Sequence, residues 1–242
     1  MLTQATLKYV RSLHSAHIAK REGKFLAEGV RMVIELLDAG FLPELLFVCK
    51  DTEPTYQLPI TPTIVTAQEM ERLSERESPT PVLAIFPRRY AQLQPPRTGY
   101  TLFLESIQNP GNLGTIIRTA AWFGFEQIVC SPDSVSIYNT KVLQATMGAV
   151  AHIPVVYASF QELKALLPVN INIVATDLNG VTLREIKVSP PTLFLFGNEG
   201  HGLSNALKKQ AHQLLTIPRG RDGHGESLNI AAAVAIVASL TL

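Results

Sequence analysis

The sequence predicts an α/β protein in two parts, a small α/β domain followed by a larger one built on a mostly parallel sheet. Three observations lead there. Short apolar runs of strand length alternate with amphipathic stretches at helical spacing along most of the 242 residues. A stretch punctuated by prolines and arginines, Pro87-Arg88-Arg89 to Pro95-Pro96-Arg97, interrupts that alternation. The strand candidates of the second half are predominantly apolar, as strands covered by helices on both faces are. The expected division is 1–87 for the first domain, 88–98 for a linker and 99–242 for the second domain.

The elements follow in order. An amphipathic helix is expected over Thr3–Ala19. A short strand, Phe25–Glu28, leads into a helix in which Val30, Val33, Ile34 and Leu37 recur at helical spacing, and Gly40 stops it. Leu45–Cys49, Thr63–Thr66 and Val82–Phe86 read as strands, and Gln68–Ser74 as a short helix. In the second domain the strand candidates are Thr101–Glu105, Gln127–Cys130, Ile153–Tyr157, Asn172–Thr176, Thr192–Phe196 and Leu214–Ile217. Helices are expected at Leu113–Phe123, Ser159–Leu166, Asn205–His212 and Ser227–Leu240.

Composition narrows the class. At 46% hydrophobic the chain can bury a core, and its net charge of +1 gives no global footprint of a nucleic-acid binder. The charge is uneven: Lys8, Arg11, Lys20, Arg21, Lys24 and Arg31 face only Glu22 and Glu28 in the first 31 residues, a local excess of +4. Such a run is either a solvated helix face or a phosphate-binding surface. Cys49 and Cys130 lie far apart in strand-like runs, fit no metal or redox spacing, and read as small hydrophobes in a reducing compartment. The N-terminus has neither the apolar core of a signal peptide nor the bias of a transit peptide. The longest apolar run, Ile230–Leu242, is too short to span a membrane. A cytoplasmic protein with no membrane partner and no metal is expected.

Three blocks carry the chemistry, each at the end of an expected strand, where open α/β sheets place their ligand sites. The first is Asn109-Pro110-Gly111-Asn112-Leu113-Gly114-Thr115-Ile116-Ile117-Arg118. Its Pro-Gly turn is followed by Asn112 as a candidate helix cap, and Arg118 is a candidate phosphate or carboxylate binder, or else one half of a surface ion pair. The second is Phe196-Gly197-Asn198-Glu199-Gly200-His201-Gly202, whose glycines let a ligand approach the backbone and whose Glu199 can orient a hydroxyl. The third is Ile217-Pro218, a Gly-rich stretch, then Glu226-Ser227-Leu228-Asn229 opening an apolar helix. It mimics a P-loop but has Glu226 where the phosphate-reaching Lys belongs, which argues against ATP or GTP chemistry. The second block is not G-x-G-x-x-G, so no dinucleotide fingerprint is present. Ser227 is a candidate N-cap, Asn229 a first-turn residue, and His201 and His224 read as loop histidines.

Together the three blocks resemble the motifs of the SpoU (TrmH-type) branch of the SPOUT RNA methyltransferases. The segment Lys24-Phe25-Leu26-Ala27-Glu28-Gly29 and the helix after it resemble the L30e-like RNA-binding domain that such enzymes carry. The resemblance implies a trefoil knot in the second domain, a homodimer with its active site near the subunit interface, and S-adenosylmethionine (AdoMet) as cofactor. It implies methylation of a ribose 2′-hydroxyl in structured RNA, 23S-type ribosomal RNA rather than transfer RNA. By motif, Asn112, Arg118, Glu199, Ser227 and Asn229 fall on the family's functional positions, and Gly197, Ile217 and Leu228 on those whose backbones hold the cofactor. Lys20, Arg21 and Lys24 are the expected RNA contacts. Asn109 stands where the family often has Asp, as does Glu105, and the stretch Pro218–Glu226 is longer than is common. Two other readings compete: a transfer-RNA 2′-O-methyltransferase, and a non-catalytic RNA-binding ribosome-assembly factor on the same fold.

Overall fold

A computed structural model describes residues 2–50, 52, 60–186 and 188–241. The chain divides into two compact units, Met1–Arg89 with Tyr138–Ala151, and Tyr90–Ile137 with His152–Leu242. Tyr138–Ala151 lies inside the span read as the second domain, yet by its contacts it groups with the first unit.

The elements of the first unit are α1 (Gln4–Ser12), α2 (Ala16–Arg21), β1 (Lys24–Glu28), α3 (Val30–Asp38), β2 (Leu45–Cys49), β3 (Thr63–Val65), α4 (Ala67–Leu73) and β4 (Val82–Pro87). The single helix expected over Thr3–Ala19 is two, because the chain turns at Leu13–Ser15, where the Leu13 and His14 amides bond three residues back. The sheet runs β1-β4-β2-β3, antiparallel except for the parallel β2–β3 pair. Alternation along each strand sends side chains to opposite faces. Leu26, Phe47, Leu83 and Ile85 pack with Leu7, Val10, Met70 and Leu73 of α1 and α4. Phe25, Ala27, Leu46, Val48, Ala84 and Phe86 pack with Met32, Val33 and Leu36 of α3.

The second unit opens with β5 (Tyr100–Leu104), α5 (Pro110–Trp122) and β6 (Gln127–Cys130). The chain then gives α6 (Thr140–Thr146), whose Leu143 joins the α3 face of the first unit's core. There follow β7 (Val155–Tyr157), α7 (Phe160–Lys164), β8 (Asn172–Thr182), β9 (Thr192–Phe196), α8 (Asn205–Lys208), β10 (Gln213–Thr216) and α9 (Ile230–Ala238). All strand pairs of this six-stranded sheet are parallel, in the order β10-β8-β9-β5-β6-β7. From β5 the chain winds outward through β6 and β7, and then builds β8, β9 and β10 on the other flank. The switch point therefore lies between β5 and β9, and the first two blocks follow those two strands.

Two details shape the cavity side of the sheet. The β8–β10 register jumps, with Leu214 opposite Ala175 and Leu215 opposite Val181, so Thr176–Gly180 bulge out of the ladder. Gly180 is required there, because a Cβ would lie 2.5 Å from the Leu214 carbonyl oxygen. The C-terminal helix begins at Ile230, three residues later than expected, because Asn229 is its cap and Ser227 lies outside it.

Candidate active site

The first block is organised by Asn109 rather than by Asn112. Asn109 is the N-cap of α5: its side chain accepts the Asn112 N–H at 3.1 Å, and Pro110 occupies the first turn, where its missing N–H costs nothing. The expectation that Asn112 caps the helix is thereby corrected. Asn112 sits inside the first turn with its amide free to reach across the switch point.

There it joins the other two blocks. Asn112 Nδ2 donates to Glu199 Oε1 at 2.8 Å, and Asn229 Nδ2 donates to Asn112 Oδ1 at 2.9 Å. Asn229 Oδ1 accepts the N–H groups of Ala231 (2.9 Å) and Ala232 (3.4 Å) as the N-cap of α9. The orientation is forced. An ionised carboxylate only accepts, so the Asn112 nitrogen must face Glu199, its oxygen must face Asn229, and the Asn229 oxygen is left to cap the helix. The positive ends of two helix dipoles, α5 and α9, meet at this relay, an environment that favours a carboxylate or a phosphate.

The second block is a closed loop. Asn198 N–H donates to the Gly202 carbonyl at 3.1 Å and Gly202 N–H returns to the Asn198 carbonyl at 2.8 Å. Asn198 Oδ1 accepts the N–H groups of Gly200 (2.7 Å) and His201 (3.3 Å), and its Nδ2 donates to the Ser106 carbonyl at 2.7 Å. Gly197 lets the returning chain pass close: a Cβ there would be 2.0 Å from the Leu203 nitrogen. Ser204 N–H donates to Glu105 at 2.7 Å, which ties the far side of the loop to the end of β5. Sequence reading did not single out Asn198; its place between two glycines in a loop needing side-chain acceptors was the available signal.

Beside the relay lies a cavity of about 540 Å³, within the usual size of small-molecule sites. Its walls are the Thr176–Asn179 bulge, Phe196–Leu203, Leu215–Ile217, Glu226–Leu228, Ile230 and Ala233. Gly197, Ile217, Leu228, Glu199 and Ser227 thus line one cavity. Asp177 in that wall is paired with Lys208; burial pushes its carboxyl up, and Lys208 with the Asn179 and Leu178 backbone more than offsets this and holds it below the usual range.

Arg118 is not brought to the cavity. It is exposed, and six residues along α5 from Asn112 turns it to another face, alongside Trp122, which is 85% exposed. Of the basic residues expected at RNA, Lys24 is half-buried, bonded to Glu44 at 2.6 Å and to the Tyr9 hydroxyl at 2.9 Å, and these bonds raise its ammonium further above its usual value. Arg21 pairs with Glu22 at 3.1 Å, and Lys20 is exposed. Burial pushes the Cys130 thiol up to about 12, which makes it an inert core residue. Among the described residues no group of three or more His, Cys, Asp or Glu could hold a metal, and no helix is long and apolar enough to cross a membrane.

Comparison with known proteins places this geometry. The SpoU rRNA Methylase family matches residues 99–239, and the MRM3-like substrate binding domain matches residues 4–84. The 23S rRNA (guanosine(2553)-2′-O)-methyltransferase RlmP of Bacillus subtilis is 31% identical over 234 residues, covering 94% of this chain and 92% of that protein. An AdoMet-bound rRNA methyltransferase from Sinorhizobium meliloti superposes with a TM-score of 0.86 at 30% identity, covering 100% of this chain and 95% of that one. A TrmH-family RNA methyltransferase structure from Porphyromonas gingivalis gives 0.83 at 29% identity, with 99% and 98% coverage.

Proposed function

The chain belongs to the SpoU rRNA methylase family, and from that premise we propose that it methylates a ribose 2′-hydroxyl of ribosomal RNA with AdoMet as methyl donor. The observation that carries this reading is the relay Asn229–Asn112–Glu199, which joins all three blocks and ends on Glu199 in the wall of one cavity. The cavity suits the donor. Its walls include apolar Phe196, Leu203, Leu215, Ile217, Leu228 and Ile230 for a planar base, and the backbone-exposing loop Gly197–Gly202 for polar edges. Gly197, Ile217 and Leu228 would hold it, and when bound it supplies an electrophilic methyl on a sulfonium sulfur.

The protein's task is then to present a poor nucleophile. Asn112 holds Glu199 by Oε1, leaving Oε2 to accept the hydrogen bond of a ribose hydroxyl and fix its direction. Arg118 offers a planar fork suited to the phosphate beside the target ribose. A guanidinium stays protonated, so it clamps and orients rather than accepting the proton, which passes along the bond to Glu199 Oε2 and from there to water. Ser227, on the exposed loop at the cavity rim, contacts the same hydroxyl or its phosphate.

The working form is a homodimer. Arg118 and Trp122 share an exposed face of α5, and α5 packs on α9, whose Ile236 is also exposed. Pairing of two chains over this apolar face covers Trp122 and brings Arg118 of one chain to the cavity of the other. Lys20 and Arg21 in the first unit supply phosphate contacts, and the protein works where its ribosomes are, which in a bacterium is the cytoplasm.

The test is methyl transfer from labelled AdoMet to total RNA from cells lacking the protein, with digestion to nucleosides. A labelled 2′-O-methylnucleoside from the large ribosomal RNA is the expected product. Label confined to transfer RNA would overturn the substrate, and no label with AdoMet and RNA binding intact would overturn the reaction.

A further inference from the structure

The segment between β5 and α5 contains a serine in a conformation that serine rarely adopts. Ser106 has φ +57°, in the left-handed region where a side chain is strained and glycine is not. All three of its polar groups are engaged. Its N–H donates to Ser131 Oγ at 2.7 Å, its hydroxyl donates to the Asp133 carboxylate, and its carbonyl accepts from Asn198 Nδ2 at 2.7 Å. Asp133 also accepts from Ser131 Oγ, and its carbonyl accepts from Gln108 Nε2 at 2.6 Å. A strained residue persists only where its surroundings over-determine it, and here the bonds to the end of β6 do so.

The consequence lies on the other side of Ser106. Asn198, the residue that its carbonyl orients, holds the Gly200 and His201 amides and so shapes the loop that presents Glu199. We infer that Ser106 and Asp133 are positioning residues, which set the Glu199 loop through Asn198 without touching substrate. This rests on the methyltransferase reading for its effect on rate, but not for its effect on the loop. The hydroxyls of Ser106 and Ser131 hold the Asp133 carboxyl below the usual carboxylate range, in keeping with an ionised acceptor. Ser106 is where glycine would relieve the backbone, so the cost of serine is explained by what its hydroxyl holds.

The experiment uses the full-length protein with Asp133→Asn, Ser106→Gly and the double variant. Amide hydrogen exchange at Gly200 and Gly202 is measured without AdoMet, and kcat and KM are measured with it. Ser106→Gly removes the hydroxyl while relieving the strain, so it folds even where Asp133→Asn does not. The expected result is about tenfold faster exchange at both glycines in each single variant, the loss of one hydrogen bond to a charged group. A similar fall in kcat is expected, with KM for RNA and AdoMet within about twofold. The double variant should lose no more than the worse single one, since both act through one bond. Wild-type exchange and kcat in Ser106→Gly, or losses that multiply in the double variant, would overturn the inference. If the wild-type protein transfers no methyl group yet the variants still speed exchange, the positioning role stands and the reaction reading falls.

Discussion

Replacing Gly197 by alanine tests how the second block is built. The added Cβ would stand 2.0 Å from the Leu203 nitrogen, 2.1 Å from the Gly202 carbonyl carbon and 2.3 Å from its oxygen. These are backbone atoms, so no side chain can swing aside. Ordinary contact begins near 3.4 Å, and the chain at Gly202–Leu203 must retreat by about 1.4 Å. The two bonds between Asn198 and Gly202, at 3.1 and 2.8 Å, cannot survive that displacement. Their loss costs about 1 kcal/mol each, and the residual overpacking about 1–3 kcal/mol, so the second unit should lose about 3–5 kcal/mol. At about 3 °C per kcal/mol this is a fall of about 9–15 °C in Tm. Calorimetry reads it on the transition that AdoMet shifts upward in the wild-type protein, because a ligand stabilises the unit that binds it. Affinity for AdoMet should fall by about tenfold or more, since the displaced loop is a cavity wall. A Tm within about 2 °C of wild type together with an unchanged Kd would refute the close-packed loop.

Four further outcomes are expected. Asn229→Asp keeps the oxygen that caps α9 and loses the Nδ2 donor to Asn112, so stability should fall by about 1 kcal/mol while kcat falls; Asn229→Ala loses the cap as well, about 1 kcal/mol more, which urea denaturation beside turnover separates. Arg118→Lys keeps the charge and loses the fork, so kcat should drop about 100-fold or more with AdoMet binding intact, and mixing that chain with an inactive Glu199→Gln chain should restore turnover if Arg118 acts across a dimer. Substituting Lys20 and Arg21 by glutamine should weaken RNA binding and flatten its salt dependence, whereas Lys24→Gln should mainly lower Tm, because Lys24 is engaged by Glu44 and Tyr9. Burial pushes the Glu126 carboxyl up, but the N–H groups of Arg97, Thr98 and Gly99 more than offset this and hold it below its usual value of 4.5. A depressed carboxylate stabilises the fold above that value and loses its contribution as pH falls below it, so Glu126→Gln should be less stable at pH 7 and show a shallower acid loss in a Tm–pH series.

Strands were the legible part of the fold where they are continuous apolar runs. Leu45–Cys49, Gln127–Cys130 and Thr192–Phe196 match the expected bounds, because each is a nearly continuous apolar run, and the polar residues Gln127 and Thr192 that open two of them are themselves buried. Helix α6 was not legible: seven residues with only Val142, Leu143 and Thr146 buried show no sustained period. The bulge of β8 was hidden for another reason, since Asn172–Thr182 pairs with β10 in two registers and only the partner strand reveals the break. The strand order was beyond periodicity altogether, and with it the fact that blocks 87 and 117 residues apart in sequence touch at Asn112.

The three blocks were legible in the sequence while the bonds between them were not, and the difference lies in what a capping side chain can do with its second atom. Aspartate or asparagine caps a helix equally well, so capping alone does not explain an asparagine at position 229. The relay does. Its terminal member, Glu199, has only acceptors, so every residue behind it must offer a donor forward and an acceptor backward. An amide meets that requirement at Asn112, and at Asn229 it meets it while still closing the N-terminus of α9. Asn109, which only caps, is under no such demand, and aspartate there would serve as well. The direction of the chain of bonds thus runs from a helix end to one carboxylate oxygen, and the proposed contact with a ribose hydroxyl rests on the other.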